Sequence, residues 1–283
     1  MISIVMPCYN CETSLVRTAE CIRAQTVADW ELIAVDDGSS DGTGAALDAL
    51  ARADARIRVI HQENGGVSRA RNAGMAAATG DWLIFLDSDD WWEDNLLSSA
   101  MKKLAEEPAD LLVFGFKSDT NGKETIPFSF APKAKHGDLS LPKEMQLGLL
   151  DKNTRYLSVY FGAPWLQVIR RGLVTQSHLQ FDRAIHQSED TLFNIALLEH
   201  VKNVALLDEP LMYYRICDNS AFHRFQENLP EQLELINQRI RQFLEENHKS
   251  AEFWDAYDIW LMESYVRLLK RYFYHPNNPQ SEA

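Results

Sequence analysis

Trp82-Leu83-Ile84-Phe85-Leu86-Asp87-Ser88-Asp89-Asp90 is the stretch on which the reading of this chain turns. Its apolar half predicts a buried strand, and its acidic half falls where that strand leaves the sheet. Carboxylates brought this close repel one another unless a cation is placed between them. Their oxygens are hard ligands that suit Mg²⁺ or Mn²⁺, and either ion shares its coordination readily with phosphate oxygens. The plainer reading is that Asp89 and Asp90 cap a helix opening near Glu93. Capping accounts for one aspartate well and for three poorly.

Working outward, strand and helix patterns alternate over the first hundred or so residues. Ser3 to Met6, Glu31 to Asp36, Ile57 to His61 and Asp110 to Lys117 carry the short apolar runs of buried strands. Glu12 to Ala24, Thr43 to Ala53, Val67 to Ala78 and Glu93 to Glu106 have helical spacing between them. Such alternation predicts an α/β fold with a parallel sheet and helices on both faces. Ligands of such sheets bind beyond the carboxyl ends of the strands. Pro7-Cys8-Tyr9-Asn10, Asp36-Asp37 and Asp87-Ser88-Asp89 then share one rim.

The pattern changes after Lys117. Asn121-Gly122 marks a tight turn, and the stretch to Leu141 reads as an irregular insertion or hairpin. Trp165 to Arg170 is strand-like, and Glu189-Asp190 opens a helix through Glu199. Two strands follow at Val201 to Leu207 and Leu211 to Arg215, and Phe225 to Tyr274 is helical throughout.

Hydrophobic residues make up 46% and charged residues 24% of the 283, which is ordinary for a soluble globular protein. No apolar run is long enough to span a bilayer. Met1 to Pro7 reads as a core strand and lacks the basic start of a signal peptide. A formal charge of −13 excludes nucleic acid as a partner, because phosphate binding on that scale needs clustered Lys and Arg. Cys8, Cys11, Cys21 and Cys217 are few, and Cys8-x-x-Cys11 has no second pair at metal-ligand spacing. Buried free thiols in a reducing, cytoplasmic setting are expected.

Asp37 follows a strand and precedes a Gly-Ser turn, so it either faces a ligand or caps that turn. Gly65-Gly66 before a helix lets backbone approach a ligand, with Arg69 or Arg71 available for phosphate charge. The dinucleotide fingerprint is absent after the first strand, as is the G-x-x-x-x-G-K-[ST] loop.

Taken as an ordered set, four motifs resemble the family 2 inverting glycosyltransferases with a GT-A fold. They are Pro7-x-Tyr9-Asn10, Val35-Asp36-Asp37-Gly38-Ser39-Ser40-Asp41-Gly42-Thr43, Asn64-Gly65-Gly66-Val67-Ser68-Arg69-Ala70-Arg71-Asn72-x-Gly74 and Phe85-Leu86-Asp87-Ser88-Asp89-Asp90. The likeness is close over about the first 95 residues. It resumes at Ser188-Glu189-Asp190 and from Tyr213-Tyr214-Arg215 through Asn219-Ser220.

The resemblance implies a Rossmann-like, mostly parallel sheet followed by a C-terminal helical region. Residues 1–117 would bind the nucleotide-sugar, 118–224 would form the acceptor side with an insertion, and 225–283 would be a helical extension. It further implies a nucleotide-sugar donor, usually a UDP-sugar, a divalent Mn²⁺ or Mg²⁺, and a glycan or lipid-linked acceptor. Surface-polysaccharide or glycolipid assembly in bacteria is the setting it suggests, at the inner face of the membrane. By the same resemblance Pro7, Tyr9 and Glu12 would touch the nucleoside and Asp37 would face the uracil, while Asn64, Arg71 and Ser88 would lie at the donor. Asp87 would contact ribose or assist the metal, and Asp89 would ligate it. Asp90 is assigned mostly to a helix cap.

Asp190 is the candidate general base, placed at a helix start where the dipole keeps a carboxylate ionised. Without the family context, Glu189 and Asp190 would read as ordinary first-turn acids. His223 is a possible further metal ligand, whereas His186 reads as a solvated loop histidine. Trp91-Trp92 and Trp165 could stack on a sugar or simply pack. Trp254, Tyr257, Trp260, Tyr265, Leu269 and Tyr272 form a helical stripe ending in Arg267, Lys270 and Arg271. Core packing, a homodimer and peripheral membrane association all fit that stripe. Two rival functions remain: a nucleotidyltransferase, lacking its Gly- and basic-rich loop here, and a non-catalytic carbohydrate- or nucleotide-binding module.

Overall fold

Four apolar runs build the parallel part of the sheet: β1 (Ile2–Cys8), β2 (Trp30–Asp36), β3 (Ile57–His61) and β4 (Trp82–Phe85). The computed structural model describes residues 1–120, 122–125, 140–151, 163–216 and 225–279. β1 pairs in parallel with both β2 and β4, and β2 with β3, so the order runs 3-2-1-4. Three helices make the crossovers: α1 (Glu12–Arg23), α2 (Thr43–Ala53) and α3 (Val67–Ala77). Right-handed crossovers put α1 and α2 on one face, because both steps go the same way along the sheet. The return step from β3 over β1 to β4 puts α3 on the other face, where it packs on β1 and β2.

The rest of the sheet departs from the simple alternation. The strand β6 (Leu111–Thr120) does not lie beside β4. Between them sits β8 (Gln167–Arg170), antiparallel to both. β9 (Val204–Arg215) is parallel to β6 and carries a bulge opposite Gly115. The two strands expected at 201–207 and 211–215 are therefore one, because the register shifts on either side of the Gly115–Pro210 pair take up Asp208, Glu209 and Leu211 without ending the ladder. β7 (Lys123–Glu124) closes a hairpin on β6 around the expected Gly122 turn, while residues 126–139 lie outside the described residues.

β5 (Trp91–Trp92) pairs with β9 at the far edge of the sheet, so the helix expected from Glu93 opens as α4 (Leu96–Glu106) instead. Asp90 accordingly caps no helix. Its Oδ1 accepts a hydrogen bond from the Arg215 backbone N–H at 2.9 Å, and the residue is 1% exposed.

The remaining helices are α5 (Leu141–Leu150), α6 (Arg171–Gln176), α7 (Glu189–Leu198), α8 (Leu229–Glu246) and α9 (Ala251–Leu268). A π-wound turn, Leu269–Phe273, extends α9. The C-terminal region is thus two helices broken at residues 247–250, not one run. Asn237 of α8 holds them together: its Oδ1 accepts from Trp260 Nε1 at 2.8 Å, and its carbonyl accepts from the Tyr257 hydroxyl at 3.0 Å.

Candidate active site

The ends of β1 and β2 are laced to each other by side chains. The backbone N–H of Asn10 donates to Ser39 Oγ at 3.0 Å, and Asn10 Oδ1 accepts from the Ser40 N–H at 2.8 Å. Asn10 itself takes a left-handed φ of 47°, which Asn tolerates better than most residues. Glu12 Oε2 accepts from the Gly42 N–H at 3.0 Å. Pro7 is half-buried, and Tyr9 stands 54% exposed above this rim, open to a ligand.

Asp37 is 3% exposed and faces inward across the turn. Its Oδ1 accepts from Gln62 Nε2 at 2.6 Å and from the Gly65 N–H at 3.0 Å, and its Oδ2 from the Gly66 N–H at 2.7 Å. The carboxylate therefore fixes the double-glycine loop, and a contact from it to a base would exchange one of these donors. Gly38 is confined to glycine by a φ of +74°, and a Cβ there would meet the Asn64 backbone nitrogen at 2.6 Å. Asn64 lies exposed at this junction.

The acidic turn after β4 is held from α1. Thr18 Oγ1 lies 3.0 Å from the Ser88 carbonyl oxygen and 2.9 Å from that of Asp90, and it donates into this pair. Buried Asp90 anchors the far side, which leaves Asp87 half-buried and Asp89 exposed. Asp89 lines a concave surface, and the surrounding protein, reinforced by the Asp87 charge, pushes its carboxyl above the ordinary range. The cavity over it measures about 390 Å³ and is lined by Arg17, Asp89, Trp91, Asp119 and Arg215 among others.

Asp87 and Asp89 fit a Mg²⁺ or Mn²⁺ that completes its shell with phosphate oxygens and water, since one or two carboxylates are what such ions commonly take from a protein. No cluster of three or more His, Cys, Asp or Glu side chains suited to a metal exists among the described residues. His223 lies outside the described residues.

Arg71 joins this rim to the second half of the chain. It is 5% exposed, with Nη2 3.1 Å from Asp87 Oδ1 and Nη1 3.0 Å from Glu189 Oε1. Asn72 does the same for the backbone: its Nδ2 donates to the Phe181 carbonyl at 2.8 Å, and its Oδ1 accepts from the Phe181 N–H at 2.9 Å. Phe181 stacks on Phe193 of α7, and both meet Phe85 of β4 edge-on. These contacts seat the start of α7 over the strand ends.

Asp190 is half-buried in the first turn of α7, beside Glu189. Its Oδ1 accepts from the Thr191 N–H at 2.7 Å, and its negative charge reaches both Arg71 and Arg267. The preceding loop is gripped from α9. Arg267 Nη1 donates to Ser188 Oγ at 3.0 Å, and Arg271 Nη1 to Gln187 Oε1 at 3.3 Å. Burial pushes both guanidinium pKa values down. These two arginines of the basic cluster that ends the helix thus reach the loop before the candidate base.

The tryptophans all make packing contacts within the fold. Trp91 and Trp92 are 7% and 2% exposed, and Trp91 is covered by the Arg17 guanidinium and by the stacked Tyr213 ring. Trp165 stacks on Tyr214 at 5.2 Å. Glu189 and His186, which read from the sequence as an ordinary first-turn acid and a solvated loop histidine, both lie at this junction. The His186 ring lies against Gly66, 3.6 Å from where a Cβ would stand.

An α/β sheet with acids at its strand ends and a second half locked over them defines a protein that holds a ligand in one shared cleft. Residues 3–176 match the pattern of Glycosyl transferase family 2, and the chain belongs to that family. It is 32% identical over 220 residues to the uncharacterized glycosyltransferase EpsJ of Bacillus subtilis, covering 78% of this chain and 62% of EpsJ. The chain thus spans less than two thirds of that relative. Its fold is similar to S. aureus TarS 1-349, solved in complex with UDP-GlcNAc, with a TM-score of 0.73, 21% identity and coverage of 95% of this chain and 72% of that one. It is also similar to the mannosyltransferase PcManGT of Pyrobaculum calidifontis, solved in complex with GDP-Man and Mn²⁺, with a TM-score of 0.60, 14% identity and coverage of 95% and 74%. Family and fold together make this a family 2 chain with a GT-A fold.

Proposed function

We propose that this chain transfers a hexose from a UDP-sugar to an acceptor hydroxyl with inversion at the anomeric carbon, with Asp190 as general base and Asp89 as the main metal ligand. The observation that carries this reading is Arg71, whose two ends join Asp87 to Glu189 and so bring the acidic turn and the candidate base to one cleft. The UDP-GlcNAc complex of TarS supports a uridine donor, and the GDP-Man complex of PcManGT supports a divalent ion in this fold.

A bound Mn²⁺ or Mg²⁺ supplies charge neutralisation for the leaving nucleoside diphosphate. The protein's own groups do the rest. The rim at Pro7, Tyr9 and Glu12, with Asn64 and Ser88, holds the nucleotide, and Asp37 keeps the Gly65-Gly66 loop in the shape that receives it. Asp190 takes the proton of the acceptor hydroxyl as its oxygen attacks the anomeric carbon, and the bond to the diphosphate breaks on the opposite face. One base and one displacement give inversion, unlike the double displacement of a retaining enzyme. The acceptor class is a glycan or lipid-linked glycan of surface-polysaccharide assembly. Among the described residues no helix is long and apolar enough to cross a membrane.

Calorimetry with UDP and Mn²⁺, paired with a sugar-transfer assay, tests the assignment. Asp89→Asn should lose metal-dependent UDP binding, and Asp190→Asn should keep it while losing transfer. An Asp190→Asn protein that no longer binds UDP would remove Asp190 from the role of base.

A further inference from the structure

Helix α9 is apolar on two opposite sides, and the fold uses only one of them. Phe253, Tyr257 and Trp260 face inward and are 6% exposed or less. On the opposite side Met262, Tyr265, Val266, Leu269 and Phe273 are 68%, 61%, 47%, 46% and 49% exposed. A helix with apolar residues all round is normally covered all round.

The outward side has a definite period. Ile259, Met262, Val266 and Leu269 recur at steps of 3, 4 and 3, the a/d spacing of a coiled coil, up to the π-wound turn that carries Phe273. Glu263 and Lys270 stand seven residues apart, and so lie on the same edge of that seam. Asp258 lies on the other edge. In a parallel pairing Glu263 would meet Asp258 of the second copy, acid against acid. In an antiparallel pairing Glu263 would face Lys270 of the second copy, and the two-fold axis would repeat the contact.

From this pattern we infer that the outward face of α9 binds a second copy of this chain as an antiparallel, two-fold helix pair. Asp255 on the seam itself and Asp258 on its edge, with the formal charge of −13, work against an anionic lipid surface as the occupant. A single helical stripe is smaller than a standard interface of about 800 Å² per partner. The dimer is therefore reversible and forms in the micromolar range.

Sedimentation velocity on the whole chain across a micromolar concentration series is the test. The average mass should rise from that of the monomer towards twice it. Leu269→Glu should stay monomeric throughout with an unchanged thermal midpoint. Glu263→Lys and Lys270→Glu should each weaken association about tenfold, as expected when two attractive pairs at the edge of the seam become repulsive. The double variant Glu263→Lys/Lys270→Glu should restore it. A wild-type chain that stays monomeric at every concentration overturns the proposal. So does a double variant no stronger than the singles. Sedimentation of the monomer with phosphatidylglycerol vesicles, abolished by Leu269→Glu, would assign the face to lipid instead.

Discussion

Nη1 of Arg71 lies 3.0 Å from Oε1 of Glu189, although the two residues stand 118 positions apart. The same guanidinium reaches Asp87, so one side chain neutralises a carboxylate from each half of the cleft. Arg71→Met leaves both acids facing each other. Asp87 keeps 29% exposure, so the cost falls below that of a fully buried pair, at about 2 kcal/mol. Urea denaturation should show it as a lowered midpoint at unchanged slope. Arg71→Lys should recover only part, because an ammonium cannot span both carboxylates. An unchanged midpoint in Arg71→Met would show that the bridge contributes nothing to stability.

Gly74 of α3 packs on β1 so closely that a Cβ would lie 2.4 Å from Val5 Cγ1. Gly74→Ala should push α3 off the sheet at a cost of about 2 kcal/mol. Val5→Ala opens the same space, so the double variant should be more stable than the sum of the singles implies. A strictly additive cycle would disprove the contact.

His61 sits between Asp36 and Asp48, at 2.9 and 3.1 Å. Hydrogen bonds to Asp36 and then Asp48 raise its pKa above the ordinary 6.5. A raised value means the charged form is favoured in the folded chain. Its stabilisation is complete below 6.5 and is lost as pH rises through the folded value. The stability difference between wild type and His61→Gln should therefore shrink as pH is raised past neutrality. A difference that stays constant from acid to alkaline pH would exclude the ion pairs as its source.

Cys11 stands beside the nucleotide rim, where the neighbouring Cys8 thiol, with smaller help from Ser88 and Thr43 against the cost of burial, lowers its pKa to about 7. The hydrogen bond with Cys11 and then burial push Cys8 up, and burial pushes Cys21 up to about 12. Iodoacetamide should therefore modify Cys11 ahead of Cys8 and Cys21, with a rate half-maximal near pH 7. Peptide mass spectrometry after timed alkylation reads the order, and faster labelling of Cys21 would contradict it.

What the sequence revealed follows the range of the forces involved. β1, β2 and β4 were legible because their apolar runs are local and end in turn residues. Leu83 pairs with Ile169 and Trp91 with Tyr213, and such partners leave no mark in a local pattern. That is why the antiparallel insertion of β8 and the short strand β5 were missed. At the site, Asp89 and Arg71 announced themselves by residue type beside glycines and acids. Glu189, Arg267 and Arg271 did not, because each has a plain surface reading until the fold supplies a buried partner. Asp90 was misread for the same reason, its true partner being the backbone of Arg215.

The placement of β8 also bears on how the chain is made. The strands that carry the nucleotide motifs are synthesised first, yet β4 waits for β8 between residues 85 and 167, and β6 waits for both β8 and β9. At 5–20 residues per second that interval lasts roughly 4–16 s. Throughout it, unpaired N–H and C=O groups line an open strand edge that other chains can pair with. A host producing this protein must shield that edge for seconds, and yield in the cell depends on that protection as much as on the stability of the finished molecule.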